Sequence, residues 1–503
     1  MLISCVLLAV SATASACSSP QRTASEGSQS QVALRIGVAV PRTGTAGSGV
    51  SGFVNNFVSD SLVGIGWDGR PVDRLVAAWS WAPDELSLSL QLRPNLKFHD
   101  GTPIDTPYFR KTLEALLKAP QTPGTNVSYQ SVTAVDLDPE HADRVVIRLS
   151  RPEAFLLTDL ANSTLPHPTN ADIGTGPFRV LSREPVAKLA AFDGYYRGRP
   201  QIDVVEVQDF DEQRASWAAL MRGEIDAVHE MSPTAMDFLQ RKDQTAVRTY
   251  PFVRPYYFQL VFNVRHPILT NPTVRQALSY AVDRQAIIDH ALNGQGTVAE
   301  GPIWPFHWAY STAQKTYTHN AEAATLRLDA AGLKLSKADG SAKMPARLRL
   351  RCLTVEKDAR YEKLALILQK QLYEIGVDVT IETLPGRELV RRLFSGDFDT
   401  VLIERTSGRS LAWTYLTFHS SQSPLGYKAA DDVLDRLRRT TADAGVRNAV
   451  SDLQQVFHDD PPAIFIAWPK VARVVSSRFD IPEEGGRDVM SNVWLWRLAR
   501  TGP

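Results

Sequence analysis

Charged and aromatic side chains follow an apolar run at residues 398–403, which predicts a buried strand. Arg405 and Arg409 carry guanidinium groups, which bind a carboxylate, phosphate or sulfate with bidentate geometry. Trp413 and Tyr415 add aromatic faces, which suit sugar rings, side chains or flat ligands. We therefore expect a ligand-binding site after this strand. The alternative is a solvated loop whose aromatic rings pack in the core.

These residue types do not form a catalytic motif. The sequence contains no G-x-S-x-G, no H-E-x-x-H and no G-x-x-x-x-G-K-[ST] segment. Residues 47–52 fit G-x-G-x-x-G, but they lie in a run rich in glycine and serine, which favours a chance match. The ten histidines are scattered, and His229 beside Glu230 is the nearest approach to a metal-ligand pair. We predict no catalytic residue, no metal and no cofactor; a secreted hydrolase is an alternative.

The composition of the 503-residue chain narrows the class of protein further. Lys plus Arg and Asp plus Glu number 55 each, so no basic excess favours nucleic-acid binding. Of the three cysteines, Cys5, Cys17 and Cys352, only Cys352 falls in the folded body, which excludes a disulfide framework and a cysteine-rich zinc site. At roughly 150 residues per domain, the length suggests two or three domains.

The N-terminal residues indicate export. Residues 1–16 form an apolar run shorter than the roughly 20 residues of a membrane span, and small residues end it just before Cys17. The segment ASAC at 14–17 resembles the bacterial lipoprotein box, in which the cysteine is acylated, although Ala14 stands where leucine is usual. We predict a signal peptide at 1–16, lipidation of Cys17 and a flexible tether at 17–31. Simple secretion is the alternative.

The rest of the chain alternates between strand and helix patterns. Residues 86–92 alternate leucine with polar residues, which predicts a half-buried strand, and residues 99–103 predict a tight turn. Residues 271–290 place apolar side chains at helical spacing, and residues 356–375 predict a long amphipathic helix closed by Gly376. This alternation favours an α/β fold with a partly parallel sheet.

Several motifs resemble those of extracytoplasmic solute-binding proteins of the peptide/nickel/oligopeptide type, family 5, which serve ABC importers. The resemblance runs from about residue 32 to residue 467, in the order of the family. The matching segments are WSWAPD, LR and FHDGTP within 79–103, GTGPF at 174–178, YYRGRP at 195–200, LMRGEID at 220–226, VRQALSYAVDR at 274–284 and GPIWP at 301–305. We interpret these segments mainly as packing and turn signals, because none of them needs to contact a ligand.

The resemblance implies an α/β, two-lobe periplasmic-binding-protein-like fold that closes on its ligand by hinge bending. Two segments, near 256–263 and 464–474, would cross between the lobes. The implied division is a lobe I core at 32–47, 170–257 and 472–503, an extra lobe I subdomain at 48–169, and lobe II at 258–471.

The resemblance also bears on the ligand. Peptide-binding relatives carry an aspartate after the 398–403 strand that pairs with the free amine of the peptide, and this chain lacks it. Glu404 could pair with an amine instead, while the two arginines favour an anionic group. The loop after the first strand, with Thr43, borders the ligand in relatives. The predicted ligand-binding residues are therefore Glu404, Arg405, Arg409, Trp413, Tyr415 and Thr43.

Together these features predict an extracytoplasmic, non-catalytic receptor. It would capture a peptide-like or other polar organic solute and present it to the permease subunits of an ABC importer. It would be a monomer that is either held at the membrane through Cys17 or free in the periplasm or cell envelope. The alternative is an envelope lipoprotein with a receptor fold that no longer transports and acts as a regulator or scaffold, which the missing aspartate favours.

Overall fold

The computed structural model describes residues 31–39, 50–119, 126–231, 246–335, 345–482 and 487–500. The strands in these ranges are β1 Ala33–Val38, β2 Val63–Ile65, β3 Pro71–Asp73, β4 Val76–Trp81, β5 Ser87–Leu92, β6 Val132–Leu137, β7 Arg144–Leu149, β8 Phe178–Ser182, β9 Ala187–Ala191, β10 Val204–Asp209, β11 Ala227–Met231, β12 Val247–Val253, β13 Tyr256–Phe262, β14 Gly296–Val298, β15 Leu348–Val355, β16 Val377–Leu384, β17 Thr400–Thr406, β18 Ala463–Ser476, β19 Phe479–Asp480 and β20 Arg497–Leu498.

The helices in the same ranges are α1 Val50–Val58, α2 Thr106–Lys118, α3 Leu156–Leu160, α4 Gln213–Met221, α5 Pro272–Ala281, α6 Arg284–Ala291, α7 Ala321–Ala330, α8 Ala359–Glu374, α9 Gly386–Ser395, α10 Leu411–Phe418, α11 Asp431–Arg439 and α12 Asp443–Asp459. Two 3-10 segments occupy Val127–Ser131 and Val489–Leu495. The predicted mixture of strand and helix is confirmed.

One large mixed sheet runs through the molecule. Its order is β16-β15-β17-β13-β18-β11-β1-β10-β9-β8, and β12 and β14 also pair with β18. The pairs of β1 with β10 and β11, and of β15 with β16 and β17, are parallel. The sheet is therefore partly parallel, as the alternation of strands and helices predicts.

Strand β18 is shared by the two halves of this sheet. Its first part pairs with β13, where Ile464 lies opposite Leu260. Its second part pairs with β12 and β11, and Val474 lies opposite Thr249. We propose that these two groups of strands belong to the two predicted lobes, because β18 is long enough to contribute to both.

The chain crosses between the two groups at two neighbouring points. Arg254 and Pro255 join β12 to β13. The amide of Arg254 donates to the carbonyl of Pro469 in β18 over 3.1 Å, so the second crossing lies beside the first. The first crossing precedes the predicted segment at 256–263, and the second falls inside the predicted segment at 464–474. Two adjacent backbone connections of this kind can act as a hinge.

The sheet of the second half is covered on both faces. Tyr257 and Val261 of β13 belong to one buried cluster, whereas Phe258, Leu260 and Phe262 belong to another. Because side chains alternate across a strand, a strand with two buried faces is apolar at almost every position. This explains why the sequence of β13 is almost continuously apolar.

Residues within the predicted extra subdomain form a separate antiparallel sheet, in the order β4-β5-β7-β6. Leu88, Leu90 and Leu92 of β5 are buried, so the alternating leucines do mark the dry face of a strand. The predicted tight turn is also confirmed: Asp100 accepts from the amide of Thr102 over 2.9 Å, and Gly101 has φ of 87°.

The predicted helix at residues 271–290 is two helices, α5 and α6. Val282 leaves the helical backbone with ψ of 115°, and the carboxylate of Asp283 accepts from the amide of Ala286 as the cap of α6. Arg275 and Arg284 are buried and donate to backbone carbonyls of Pro461 and Phe465, over 2.9 and 2.7 Å. These contacts support the interpretation of this motif as a packing signal.

Candidate ligand-binding site between the two halves

Arg254 lies at the first crossing, and its guanidinium faces carboxylates of both halves. Its Nη1 atom donates to Glu230 of β11 over 3.3 Å and lies 3.8 Å from Oε1 of Glu404 in β17. The guanidinium also lies 4.5 Å from the ring centroid of Tyr256. The side chains of Arg254, Glu230 and Glu404 are 19%, 25% and 14% exposed, so little water screens these charges.

Further charged side chains lie next to Glu230 on one side and next to Glu404 on the other. On one side, Arg473 of β18 lies 3.8 Å from Glu230 and forms a bidentate pair with Asp488, over 2.8 and 2.6 Å. On the other side, Arg360 of α8 pairs with Asp358 over 2.8 Å. Burial lowers the pKa of Arg360, but Asp358 and then Glu404 more than offset this, and the net pKa is raised.

Arg409 completes the series. Burial lowers its pKa most, the charge of Asp488 acts in the opposite direction, and the charge of Arg487 lowers the pKa further. We call this series the interlobe charge chain. Its members, with alternating sign, are Asp358, Arg360, Glu404, Arg254, Glu230, Arg473, Asp488 and Arg409. These eight members carry four charges of each sign and come from both halves of the sheet, and the charge of Arg487 acts on Arg409 at one end.

The loop that carries Arg409 has a tightly defined shape. The amide of Ser407 donates to the carbonyl of Pro255 over 2.8 Å, which ties the loop to the first crossing. Gly408 and Arg409 both adopt left-handed backbone, with φ of 52° and 59°. A Cβ atom on Gly408 would lie 2.5 Å from the indole of Trp413, so that position requires glycine. Left-handed backbone at a residue such as Arg409 is strained and clusters at functional sites.

Two buried polar atoms of the interlobe charge chain lack a hydrogen-bond partner among the described residues. They are Oε1 of Glu404 and Nε of Arg409. An unsatisfied buried polar group costs about 1–3 kcal/mol, and more when it is charged. A ligand group that donates to Glu404 would remove the first cost, and one that accepts from Arg409 would remove the second.

A model of bacterial extracellular solute-binding proteins, family 5, middle region, matches residues 70–426. The chain belongs to this family. It is the solute-binding component of an ABC importer, works outside the cytoplasm and binds its solute without catalysing a reaction. The family resemblance of the sequence motifs is therefore confirmed.

Two curated relatives and one solved structure illustrate the similarity of this family 5 protein to others. It is 27% identical over 347 residues to the probable D,D-dipeptide-binding periplasmic protein DdpA of Escherichia coli, covering 65% of this chain and 64% of that protein. It is 25% identical over 441 residues to the dipeptide-binding protein of Escherichia coli, covering 79% and 81%. NikZ from Campylobacter jejuni, in complex with Ni(L-His), matches with a TM-score of 0.76 and 22% identity, covering 92% of this chain and 99% of that one. The predicted two-lobe fold is thereby confirmed.

The structure of this family 5 protein places three of the predicted ligand-binding residues on β17, the loop after it and α10. Glu404 and Arg409 belong to the interlobe charge chain, and Trp413 packs against the loop that carries Arg409. Arg405 points to the opposite face of β17, where its charge acts on Tyr257.

The other predicted residues lie elsewhere. Tyr415 is 2% exposed, and its hydroxyl interacts with Arg438 and Asp435, each over 3.3 Å. The structure thus places Tyr415 in the interior and not in the interlobe charge chain. Thr43 and Cys17 fall outside the described residues. The predicted set stays a prediction, with Glu404 and Arg409 as its best-supported members.

Sequence reasoning missed most of the interlobe charge chain, including Arg254, Glu230, Arg473 and Asp488. These residues come from separate segments, so no spacing in the sequence groups them. One signal was available: Arg473 interrupts the apolar strand sequence VARVV, and a lone charge in a buried strand needs a partner.

Other features of the described residues bear on function. No group of three or more His, Cys, Asp or Glu side chains there could hold a metal ion. His229 lies with its ring 4.4 Å from that of Phe53, and burial lowers its pKa to about 3, so its imidazole is neutral. In the same part of the chain, no helix has both the length and the apolar character needed to cross a bilayer.

Proposed function

We propose that this protein captures a peptide-like or other polar organic solute in the interlobe charge chain. The observation that carries the proposal is the pair of unsatisfied atoms at Glu404 and Arg409. An amine or amide N–H of the solute would donate to Glu404, and a carboxylate or carbonyl oxygen would accept from Arg409.

The charge balance supports a solute with no net charge. The interlobe charge chain contains four guanidinium groups and four carboxylates, so an ion would enter without a free counter-charge. A zwitterion such as a short peptide brings one charge of each sign. Two relatives are named for dipeptides, which supports the same class of solute.

The test begins with native mass spectrometry of the protein purified from its own cell envelope. A co-purified small molecule is then titrated into the ligand-free protein, and its affinity is measured by calorimetry. We expect Arg409→Met to weaken its binding about tenfold or more, because a hydrogen bond to a charged group contributes about 1.5–3 kcal/mol. Arg214→Met is the matched control, since the Arg214 side chain is 91% exposed. Unchanged affinity in Arg409→Met would rule out this site.

We also propose that Cys17 is acylated and holds the protein at the membrane. The small residues before Cys17 and the polar segment after it support this assignment. Cys17→Ser should move the protein from the membrane fraction to the soluble fraction, as measured by fractionation and immunoblotting. The unaltered protein is the control. Retention of Cys17→Ser in the membrane fraction would contradict the lipid anchor.

A further inference from the structure

A cavity of about 300 Å³ lies away from the second half of the sheet. Its described lining residues fall within 53–229 and 473–494, so β13, β17 and the helices packed on them do not contribute. The walls come from α1, from the segment around Tyr195 and Arg197, from the ends of β11 and β18, and from the 3-10 segment Val489–Leu495. Closure of the two halves therefore does not form this cavity.

The charged residues of this cavity do not balance. Arg473 and Asp488 form a closed bidentate pair. The remaining charges are those of Asp60, Arg74 and Arg197. Among the lining residues one guanidinium is thus in excess, and Asp73, outside the lining, pairs with Arg197 over 3.5 Å.

Arg74 is the available cation of this group. Its guanidinium forms no hydrogen bond with the described residues and acts only electrostatically on Asp60. Arg197, by contrast, donates to the carbonyl of Asp73 over 3.0 Å. The carboxylate of Asp60 accepts from the hydroxyl of Tyr195 over 2.9 Å. The guanidinium of Arg74 could therefore donate hydrogen bonds to an anionic ligand.

The lining of the cavity also includes aromatic side chains. Phe53 and Phe57 of α1 pack edge to face with ring centroids 4.9 Å apart, and the rings of Tyr195 and Trp494 are 5.8 Å apart. Nδ1 of His229 is buried in the wall without a hydrogen-bond partner among the described residues. Aromatic rings and a guanidinium that forms no hydrogen bond with the described residues fit a ligand with a ring at one end and an anion at the other.

We propose that this cavity is an accessory binding site for a small aromatic carboxylate. The carboxylate would accept from Arg74, and the ring would lie among Phe53, Phe57 and Trp494. This site differs from the one in the proposed function because it uses Arg74 and not Glu404 or Arg409, and it holds its ligand without closure. Its wall shares His229, Arg473 and Asp488 with the region of the interlobe charge chain, so a ligand here would lie next to the hinge.

The probe is benzoate, titrated into the mature protein by calorimetry. We expect saturable one-to-one binding with a Kd of ~1 mM or below, and at least tenfold weaker binding of acetate, which lacks the ring. Arg74→Met should weaken benzoate binding at least tenfold, and Arg214→Met should leave it unchanged. Far-UV circular dichroism and a melting curve check that each variant folds.

A second variant tests the aromatic part of the site independently of Arg74. Trp494→Leu should weaken benzoate binding several-fold while leaving the weak acetate binding unchanged, because only the ring loses its contact. Absence of benzoate binding to the unaltered protein would overturn the proposal. So would equal binding to Arg74→Met, or loss of binding in Arg409→Met but not in Arg74→Met, which would assign benzoate to the interlobe site.

Discussion

Replacing Arg438 with methionine should lower the free energy of unfolding by ~3–5 kcal/mol, because the change leaves a buried carboxylate without its cation. Arg438 of α11 binds Glu153 through Nε, over 2.9 and 2.8 Å, and through Nη2 over 2.7 Å. The side chain of Glu153 is 0% exposed and that of Arg438 is 7% exposed. In the variant, the hydroxyl of Ser131 would be the remaining side-chain donor to Glu153 in the described structure.

The same pair joins two parts of the molecule, and so the variant should change shape as well as stability. Arg438 also donates to the carbonyl of Val127 over 2.9 Å, and its own carbonyl accepts from the amide of Ala154 over 2.7 Å. Phe155 meets Tyr415 with ring centroids 5.9 Å apart. These contacts connect the predicted subdomain to the predicted lobe II. We expect Arg438→Met to loosen this contact and to raise the radius of gyration in small-angle X-ray scattering.

Urea unfolding measures the stability change, with Arg436→Met as the matched control. Arg436 lies on the same helix and pairs with Asp452, but both side chains are more than half exposed. Exposed pairs contribute about 0–1 kcal/mol, so the control should remain close to the unaltered protein. The double variant Glu153→Met with Arg438→Met should recover part of the loss, because no buried charge remains. A loss below 1 kcal/mol in Arg438→Met would show that the pair does not stabilise the fold.

Local sequence signals predicted the elements of this fold well. Leucines at period two marked the buried face of β5, and Asp100 with Gly101 marked a turn, because both depend on residues that are neighbours in the chain. The break between α5 and α6 was missed. Apolar spacing continues through it, and the backbone angles of Val282 and the cap at Asp283 reveal the interruption.

Long-range pairing could not be predicted in the same way. Glu153 and Arg438 are 285 positions apart, and each looks like an ordinary surface charge in the sequence. The sequence predicts that Tyr415 contacts the ligand because its aromatic face suits a ring or side chain and its segment follows the 398–403 strand. The short helix α10 instead buries it, and an aromatic residue near a binding loop gives no signal that separates these outcomes. Arg409 and Glu404 were within reach of sequence reasoning because they lie on one loop and the strand before it.

Replacing Arg254 with methionine should lower the free energy of unfolding by ~3 kcal/mol and weaken solute binding, because Arg254 separates two carboxylates at the hinge. Glu230 lies 3.3 Å from its guanidinium on one side and Glu404 lies 3.8 Å away on the other. Methionine keeps the apolar volume beside Tyr256 but removes the charge. Glu230 and Glu404 would then lie near each other beside the first crossing without a cation between them. Their repulsion would favour separation of the two halves.

A double-mutant cycle with Glu404→Gln isolates this charge effect from simple loss of packing. If Arg254 acts as a counter-charge, Glu404→Gln should destabilise the unaltered protein but stabilise Arg254→Met by ~1–2 kcal/mol, since it removes one of the two facing charges. Urea unfolding of the four proteins gives the coupling energy, and scattering curves report whether the halves separate. Additive effects of the two substitutions would mean that Arg254 does not compensate Glu404, and the interlobe charge chain would then not extend across the hinge.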